Sequence, residues 1–312
     1  MSRILVTPRS LTRSPGPELE PLERAGYTLV FSTPGAVPDE EELVRLLPGC
    51  VGYLAGIERI GERALDAADA LVAISRNGAG IDNVDLAAAA ERSIAVLRAA
   101  GANARGVAEL TLALLLGAFR QVPRHDAAVK SGVVERFQGI EAEGRTLGLI
   151  GCGAIGRLVA GLAAALGMRV LAHDVAPGED LRESERFRLA SFDEVVASCD
   201  ALSLHCPPLP DGRPLIGAAE LARMRRGAVL VNTARADLVD GPAVLAALED
   251  GSLRAYATDT VDGETQIDAL LRHRLVIATP HVGAYTAESV ARATEAAVRN
   301  LLDALERAPK ER

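Results

Sequence analysis

Residues 146–174 read TLGLIGCGAIGRLVAGLAAALGMRVLAHD, and no other stretch limits the possible folds as much. An apolar run leads into glycines at 151, 153 and 156, an Ala- and Leu-rich segment follows, and a second apolar run closes on Asp174, 18 residues beyond the third glycine. A G-x-G-x-x-G alone is a weak signal, but between a strand and a helix of a βαβ unit it is a dinucleotide-binding fingerprint. Gly151 permits the tight turn, Gly153 lets the backbone approach a pyrophosphate, and Gly156 lets helix and strand pack closely. The amides of Ala154 and Ile155, at the helix N-terminus, then face the phosphates, where the helix dipole favours anions. A carboxylate at Asp174 accepts hydrogen bonds from a ribose 2′-hydroxyl and repels a 2′-phosphate, so the expected cofactor is NAD rather than NADP.

The surrounding chain alternates short apolar runs with helix-like segments, as parallel strands joined by crossover helices require. A first series of strands is expected at residues 3–7, 27–32, 51–54, 71–74 and 94–97. A second is expected at 146–150, 169–172, 201–205, 228–232, 255–258 and 275–279. Residues 103–121 are apolar almost all round and predict a long helix packed between two domains. From residue 286 onward Val290, Ala293, Ala297, Val298, Leu301, Leu302 and Leu305 share one helical face, which must pack against something. A length of 312 residues fits two such domains.

Composition narrows the function classes. A net charge of −8 without any basic run argues against nucleic acid and anionic membrane as partners. The longest apolar stretches, 110–119 and 158–168, fall short of the ~18 residues that cross a bilayer, and Pro8 and Arg9 interrupt the N-terminal apolar run, so no secretory signal is expected. Cysteines at 50, 152, 199 and 206 form no C-x-x-C pair, so neither a metal site nor a disulfide framework is expected, and a reducing, cytoplasmic location is the default.

Three later strand ends carry isolated polar residues: Arg235 after AVLVNTA, Glu264 after RAYATDTVDG and His281 after RLVIATP. Loops at strand ends form the ligand crevices of open α/β sheets. Each residue has an ordinary reading, as a surface cation, a solvated loop charge or a hydrogen-bonded turn residue. Together they suit reduction of a 2-oxo acid: Arg235 holds a carboxylate and polarises the carbonyl, His281 gives a proton to the carbonyl oxygen, and Glu264 orients that imidazole and favours its charged form. For His125, His173, His205 and His273 a structural role is preferred, although the His205 backbone can line the cofactor crevice.

The segments ISRNGAGIDNVDL (74–86), GANARGVAELTLALLL (101–116), GCGAIG (151–156), VNTARADLVD (231–240), ATDTVDGE (257–264) and TPHVGAYT (279–286) resemble the D-isomer-specific 2-hydroxyacid dehydrogenase family, closest in pattern to its phosphoglycerate dehydrogenase branch. The resemblance implies two Rossmann-like, doubly wound α/β domains. A smaller flavodoxin-like substrate domain (1–98 and 286–312) is expected, with an NAD-binding domain (99–285) inserted into it. It puts the catalytic Arg, Glu and His on Arg235, Glu264 and His281. NAD contacts fall on Ala154, Ile155, Asp174, Pro207, Thr233, Ala234 and Arg235, with Asp259 near the carboxamide and Gly283 near the nicotinamide. Amides around Ala79 and Gly80 are expected to bind the substrate carboxylate, and a homodimer is the expected assembly.

One departure bears on the substrate: where many relatives carry an Arg-Ser pair after the third strand, this chain has Ala55-Gly56. The chain also ends after its terminal helix, so the serine-binding regulatory domain of some phosphoglycerate dehydrogenases is not expected. The expected activity is reversible hydride transfer between NAD and C2 of a small D-2-hydroxy or 2-oxo acid, 3-phosphoglycerate among the candidates. The alternatives are a glyoxylate or hydroxypyruvate reductase and, from another class, an NAD-sensing corepressor.

Overall fold

The computed structural model describes residues 2–261 and 265–308 of the chain. Two units separate by their internal contacts: residues 1–103 with 287–312, and residues 104–286.

The first unit holds five strands, β1 (Arg3–Val6), β2 (Thr28–Phe31), β3 (Cys50–Ala55), β4 (Ala73–Arg76) and β5 (Ala95–Arg98), ordered β2-β1-β3-β4-β5. Every pairing is parallel. Parallel strands need crossovers that cover both sheet faces, which is why the strands read as continuous apolar runs. Along β1 the side chains alternate: Leu5 enters the core with Leu43, Leu47, Tyr53 and Ile74, while Ile4 and Val6 join Leu22, Leu54, Val298 and Leu301 on the other face. The last two come from the helix Ala287–Arg307, which lies against β3, β4 and β5. Gly52 gives it room, since a Cβ there would stand 3.2 Å from Leu305 Cδ1, and the Ser75 hydroxyl donates to Ala297 O at 2.7 Å.

The second unit carries β6 (Thr146–Ile150), β7 (Arg169–His173), β8 (Phe187–Leu189), β9 (Ala201–Leu204), β10 (Ala228–Asn232), β11 (Leu253–Thr258) and β12 (Val276–Ala278). They form one parallel sheet in the order β12-β11-β10-β9-β6-β7-β8. From β6 the chain grows toward β8, then returns to add β9 on the other side, so the order reverses between β6 and β9. The helix Ala104–Arg120 packs on the helix Ala154–Ala165 and on β10 and β11, burying Leu115 and Phe119 completely.

Two strand expectations need correction. β8 was not anticipated. β4 runs from Ala73 to Arg76 rather than over 71–74: Leu71 is buried, but it precedes the ladder. Among the described residues no helix is long and apolar enough to cross a membrane.

Candidate functional site

At the β6/β9 reversal the two strand ends come so close that only glycine fits. Gly151 has φ +97°, and a Cβ on it would meet His205 O at 2.5 Å. A Cβ on Gly156 would run into Gly151 O, whereas one on Gly153 meets nothing within 4 Å. The turn is thus closed on its protein side and open at Gly153, where the helix Ala154–Ala165 begins without a side-chain cap. The amides of Ala154 and Ile155 in its first turn lack intrahelical acceptors, as at any helix start, and are suited to an anion.

Asp174 follows β7, and each of its carboxylate oxygens takes one backbone donor: Cys152 N to Oδ2 at 2.6 Å, Ala176 N to Oδ1 at 2.8 Å. Each oxygen retains acceptor capacity for a ribose diol. Cys152 is the small buried filler its position suggests, with burial pushing its thiol up to about 11. Pro207 is exposed beyond the β9 end. A cradle open at Gly153, free helix-start amides and a carboxylate with spare acceptors together fit a dinucleotide with an unphosphorylated ribose.

His205 adds something the sequence did not reveal. Its Nε2 lies 2.8 Å from Ser203 Oγ, while its Nδ1 is buried without a partner among the described residues. Burial pushes the imidazole down to about 4, so it is neutral at pH 7. The other set-aside histidines have ordinary contacts: His125 Nε2 with Phe137 O, His173 Nδ1 with Ala190 O, and His273 Nδ1 accepting from Leu275 N.

Further along the same sheet edge, Asn232 ends β10 fully buried. Its Oδ1 accepts from Ala234 N at 3.0 Å and its Nδ2 donates to Arg235 O at 2.7 Å, closing the turn that carries Thr233, Ala234 and Arg235. The Thr111 hydroxyl donates to Val107 O, so in its 2.9 Å contact with Thr233 the latter is the donor. Arg235 is half-buried and donates from Nη1 to Ala234 O at 2.9 Å.

Asp259 follows β11, is 3% exposed, and gathers three donors from the next loop: the Thr279 hydroxyl (2.6 Å) and Val282 N (2.8 Å) on Oδ1, and Gly283 N (2.7 Å) on Oδ2. His281 sits inside that loop, exposed and at φ +52°, with its amide donating to Thr279 O at 3.0 Å. A β-carbon on Gly283 would lie 2.9 Å from Asp259 Oδ2 and 3.3 Å from Val107 Cγ2, so glycine is needed for the close approach. Asp259 N donates to Asn232 O at 3.0 Å, joining this loop to the Arg235 turn. Asp259 therefore acts as a brace for the His281 loop. Glu264 lies outside the described residues.

Ala79 and Gly80 belong to the other unit, in the loop after β4. Asn77 N donates to Ala55 O and Ala99 N to Gly78 O there, while the amides of Ala79 and Gly80 have no acceptor among the described residues.

Residues 112–283 match the family described as D-isomer specific 2-hydroxyacid dehydrogenase, NAD binding domain. The D-3-phosphoglycerate dehydrogenase of Methanocaldococcus jannaschii is 37% identical over 254 residues, which are 80% of this chain and 48% of that protein. The chain thus spans about half the length of the curated relatives it matches. Among solved structures, the TT0316 protein from Thermus thermophilus is 35% identical with a TM-score of 0.87, covering 97% of both chains. A glyoxylate reductase from Paecilomyes thermophila is 28% identical with a TM-score of 0.83, covering 98% of this chain and 96% of its own.

Proposed function

Because the chain belongs to the D-isomer-specific 2-hydroxyacid dehydrogenase family, with residues 112–283 matching its NAD-binding domain, we propose that it is an NAD-dependent oxidoreductase acting at C2 of a small D-2-hydroxy or 2-oxo acid. The observation that carries this reading is the convergence on one sheet edge of a dinucleotide cradle (Gly151, Gly153, Ala154, Ile155, Gly156, Asp174) and a histidine loop braced by a buried carboxylate. Bound NAD supplies the hydride acceptor, or in its reduced form the donor.

The chain's own groups do the rest. Arg235 holds the substrate carboxylate and polarises the carbonyl, and the amides of Ala79 and Gly80, in the loop after β4, suit a carboxylate as well. His281 gives a proton to the carbonyl oxygen in reduction and takes it back in oxidation, with Glu264 orienting the ring. Asp259 and Gly283 hold His281 in a backbone conformation it would not adopt unaided, at a cost of about 1–3 kcal/mol. Thr233, Ala234 and Pro207 line the cofactor, and Asp174 selects the unphosphorylated ribose.

The substrate candidates are the 3-phosphoglycerate pair, suggested by the curated relatives' names, and glyoxylate or hydroxypyruvate, suggested by the glyoxylate reductase likeness. A cytoplasmic homodimer completes the reading. It is tested by following NADH consumption with 3-phosphohydroxypyruvate, hydroxypyruvate, glyoxylate and pyruvate side by side. Turnover of at least one is expected, with NADH preferred to NADPH; no turnover of any 2-oxo acid would overturn the assignment.

A further inference from the structure

The five-stranded sheet has its own reversal point, since from β1 the chain adds β2 on one side and then β3 on the other. Open parallel sheets bind ligands in the crevice beyond the carboxyl ends of the two strands at such a point. Here those ends are Thr7, after β1, and Gly56 to Glu58, after β3. Glu58 is 2% exposed, and three donors converge on its Oε1: the Thr7 hydroxyl, Tyr53 OH at 2.6 Å and Gly56 N at 2.9 Å. Burial and the Glu58 charge push the Tyr53 phenol up, which keeps it a donor. The other oxygen, Oε2, fills the space beside Gly56, where a Cβ would come within 2.7 Å of it. A side chain at 56 would have to displace that oxygen.

Arg76 donates from Nε to Asn83 Oδ1 (3.2 Å) and from Nη1 to Asn77 O (2.8 Å), and the exposed Arg98 reaches Ala79 O with Nη1 at 3.5 Å; Asn83 in turn donates to Glu58 O (2.6 Å). Arg59 is exposed to solvent, where screening weakens it. Ile57, 60% exposed, is the large apolar side chain of the loop. The Ala79–Gly80 amides follow β4, one strand away from β3. Strands lie about 4.8 Å apart, a separation that a three-carbon acid spans. An acid held by its carboxylate at the β4 loop is therefore long enough for its distal end to reach the β1/β3 crevice.

We propose that Glu58 sets substrate choice in this crevice: its charge, with Ile57 beside it, admits 2-oxo acids whose distal group is uncharged and turns away phosphate esters. This rests on the oxidoreductase reading above for what the ligand is. A buried charge acts through a low-dielectric surround and loses little to salt.

The test pairs the wild type with Glu58→Gln, whose amide oxygen can still accept the three donors. Reduction of hydroxypyruvate, 3-phosphohydroxypyruvate and glyoxylate is measured with NADH. The wild type should favour hydroxypyruvate over its phosphate ester, and Glu58→Gln should narrow that ratio at least about tenfold by raising kcat/KM for the ester. Glyoxylate, which has no distal group, should not change. A wild-type preference for the ester, or an equal effect of Glu58→Gln on all three acids, overturns the proposal. Ligand-induced Tm shifts decide it independently of turnover: D-glycerate should raise the wild-type Tm more than 3-phosphoglycerate does, and Glu58→Gln should bring the two together. Loss of all turnover with that Tm pattern intact would sink the oxidoreductase reading alone, and equal Tm shifts in the wild type would sink the specificity proposal alone.

Discussion

Replacing Asp259 with Asn keeps the shape of the side chain and removes one acceptor where three donors meet. An amide oxygen can replace Oδ1 for the Thr279 hydroxyl and Val282 N, but the NH2 group then faces Gly283 N at the 2.7 Å now spanned by Oδ2, donor against donor. The lost charge-assisted bond is worth about 1.5–3 kcal/mol, and a buried amide left without an acceptor about 1–3 more. Release of His281 from φ +52° returns about 1–3 kcal/mol of strain. The net cost is thus about 1.5–3 kcal/mol, confined to residues 279–283. Hydrogen exchange should show the Val282 and Gly283 amides losing about 10- to 150-fold in protection while β6 and β9 keep theirs. His281 would lose its fixed place, so kcat should fall about 100-fold, the scale of a misplacement near 1 Å. Protection at 282 and 283 within about threefold of the wild type, at the stated hydrogen-bond values, would refute the idea that Asp259 braces this loop.

Asp174→Ala should narrow the preference for NADH over NADPH; a wild-type kcat/KM higher with NADPH would contradict the diol assignment. Arg235→Lys keeps the charge but loses the bidentate fork, so KM should rise and kcat fall while NADH affinity, read by fluorescence titration, stays unchanged. With Glu264→Gln, reduction should fade at a lower pH and oxidation should persist to a lower pH; profiles that stay in place or move upward would dissolve the pair. His205, held neutral with a pKa near 4 against an ordinary 6.5, adds stability that is fully present above pH 6.5 and is lost as pH falls toward 4. Between those limits the wild-type Tm should fall more steeply than that of His205→Gln, and parallel Tm curves would show that the ring is not desolvated.

Strand content was legible where burial dictates it. The β6, β9 and β10 strands are enclosed by core on both faces and read as mostly apolar runs, with Ser203 the polar residue inside β9. β8 escaped because an edge strand of three residues, Phe187–Leu189, needs one neighbour and little apolar surface, and Glu185 and Arg186 precede it. β4 was placed two residues early because apolar content marks what is buried, not where the ladder runs; its pairing extends to Ser75 and Arg76. In the site, the glycine requirements at 151 and 156 follow from local spacing and were readable. The brace at Asp259 was not, because its partners stand 20 to 24 residues ahead on another loop. Nor could the sequence show that His205 is desolvated, since that depends on how closely β6 and β9 approach.

The helix Ala287–Arg307 covers a face of a sheet whose strands all precede residue 99. On the ribosome, β1 to β5 are therefore made long before their cover, and the whole of residues 104–286 must be synthesised in between. Until then Ile4, Val6, Leu54 and Ala73 lack part of their apolar surround, while the 104–286 unit has all its own strands and can fold first. The nascent chain thus carries one finished unit and one open sheet, a form suited to chaperone capture. A stop codon near residue 286 would leave that sheet bare for good while sparing the cofactor cradle.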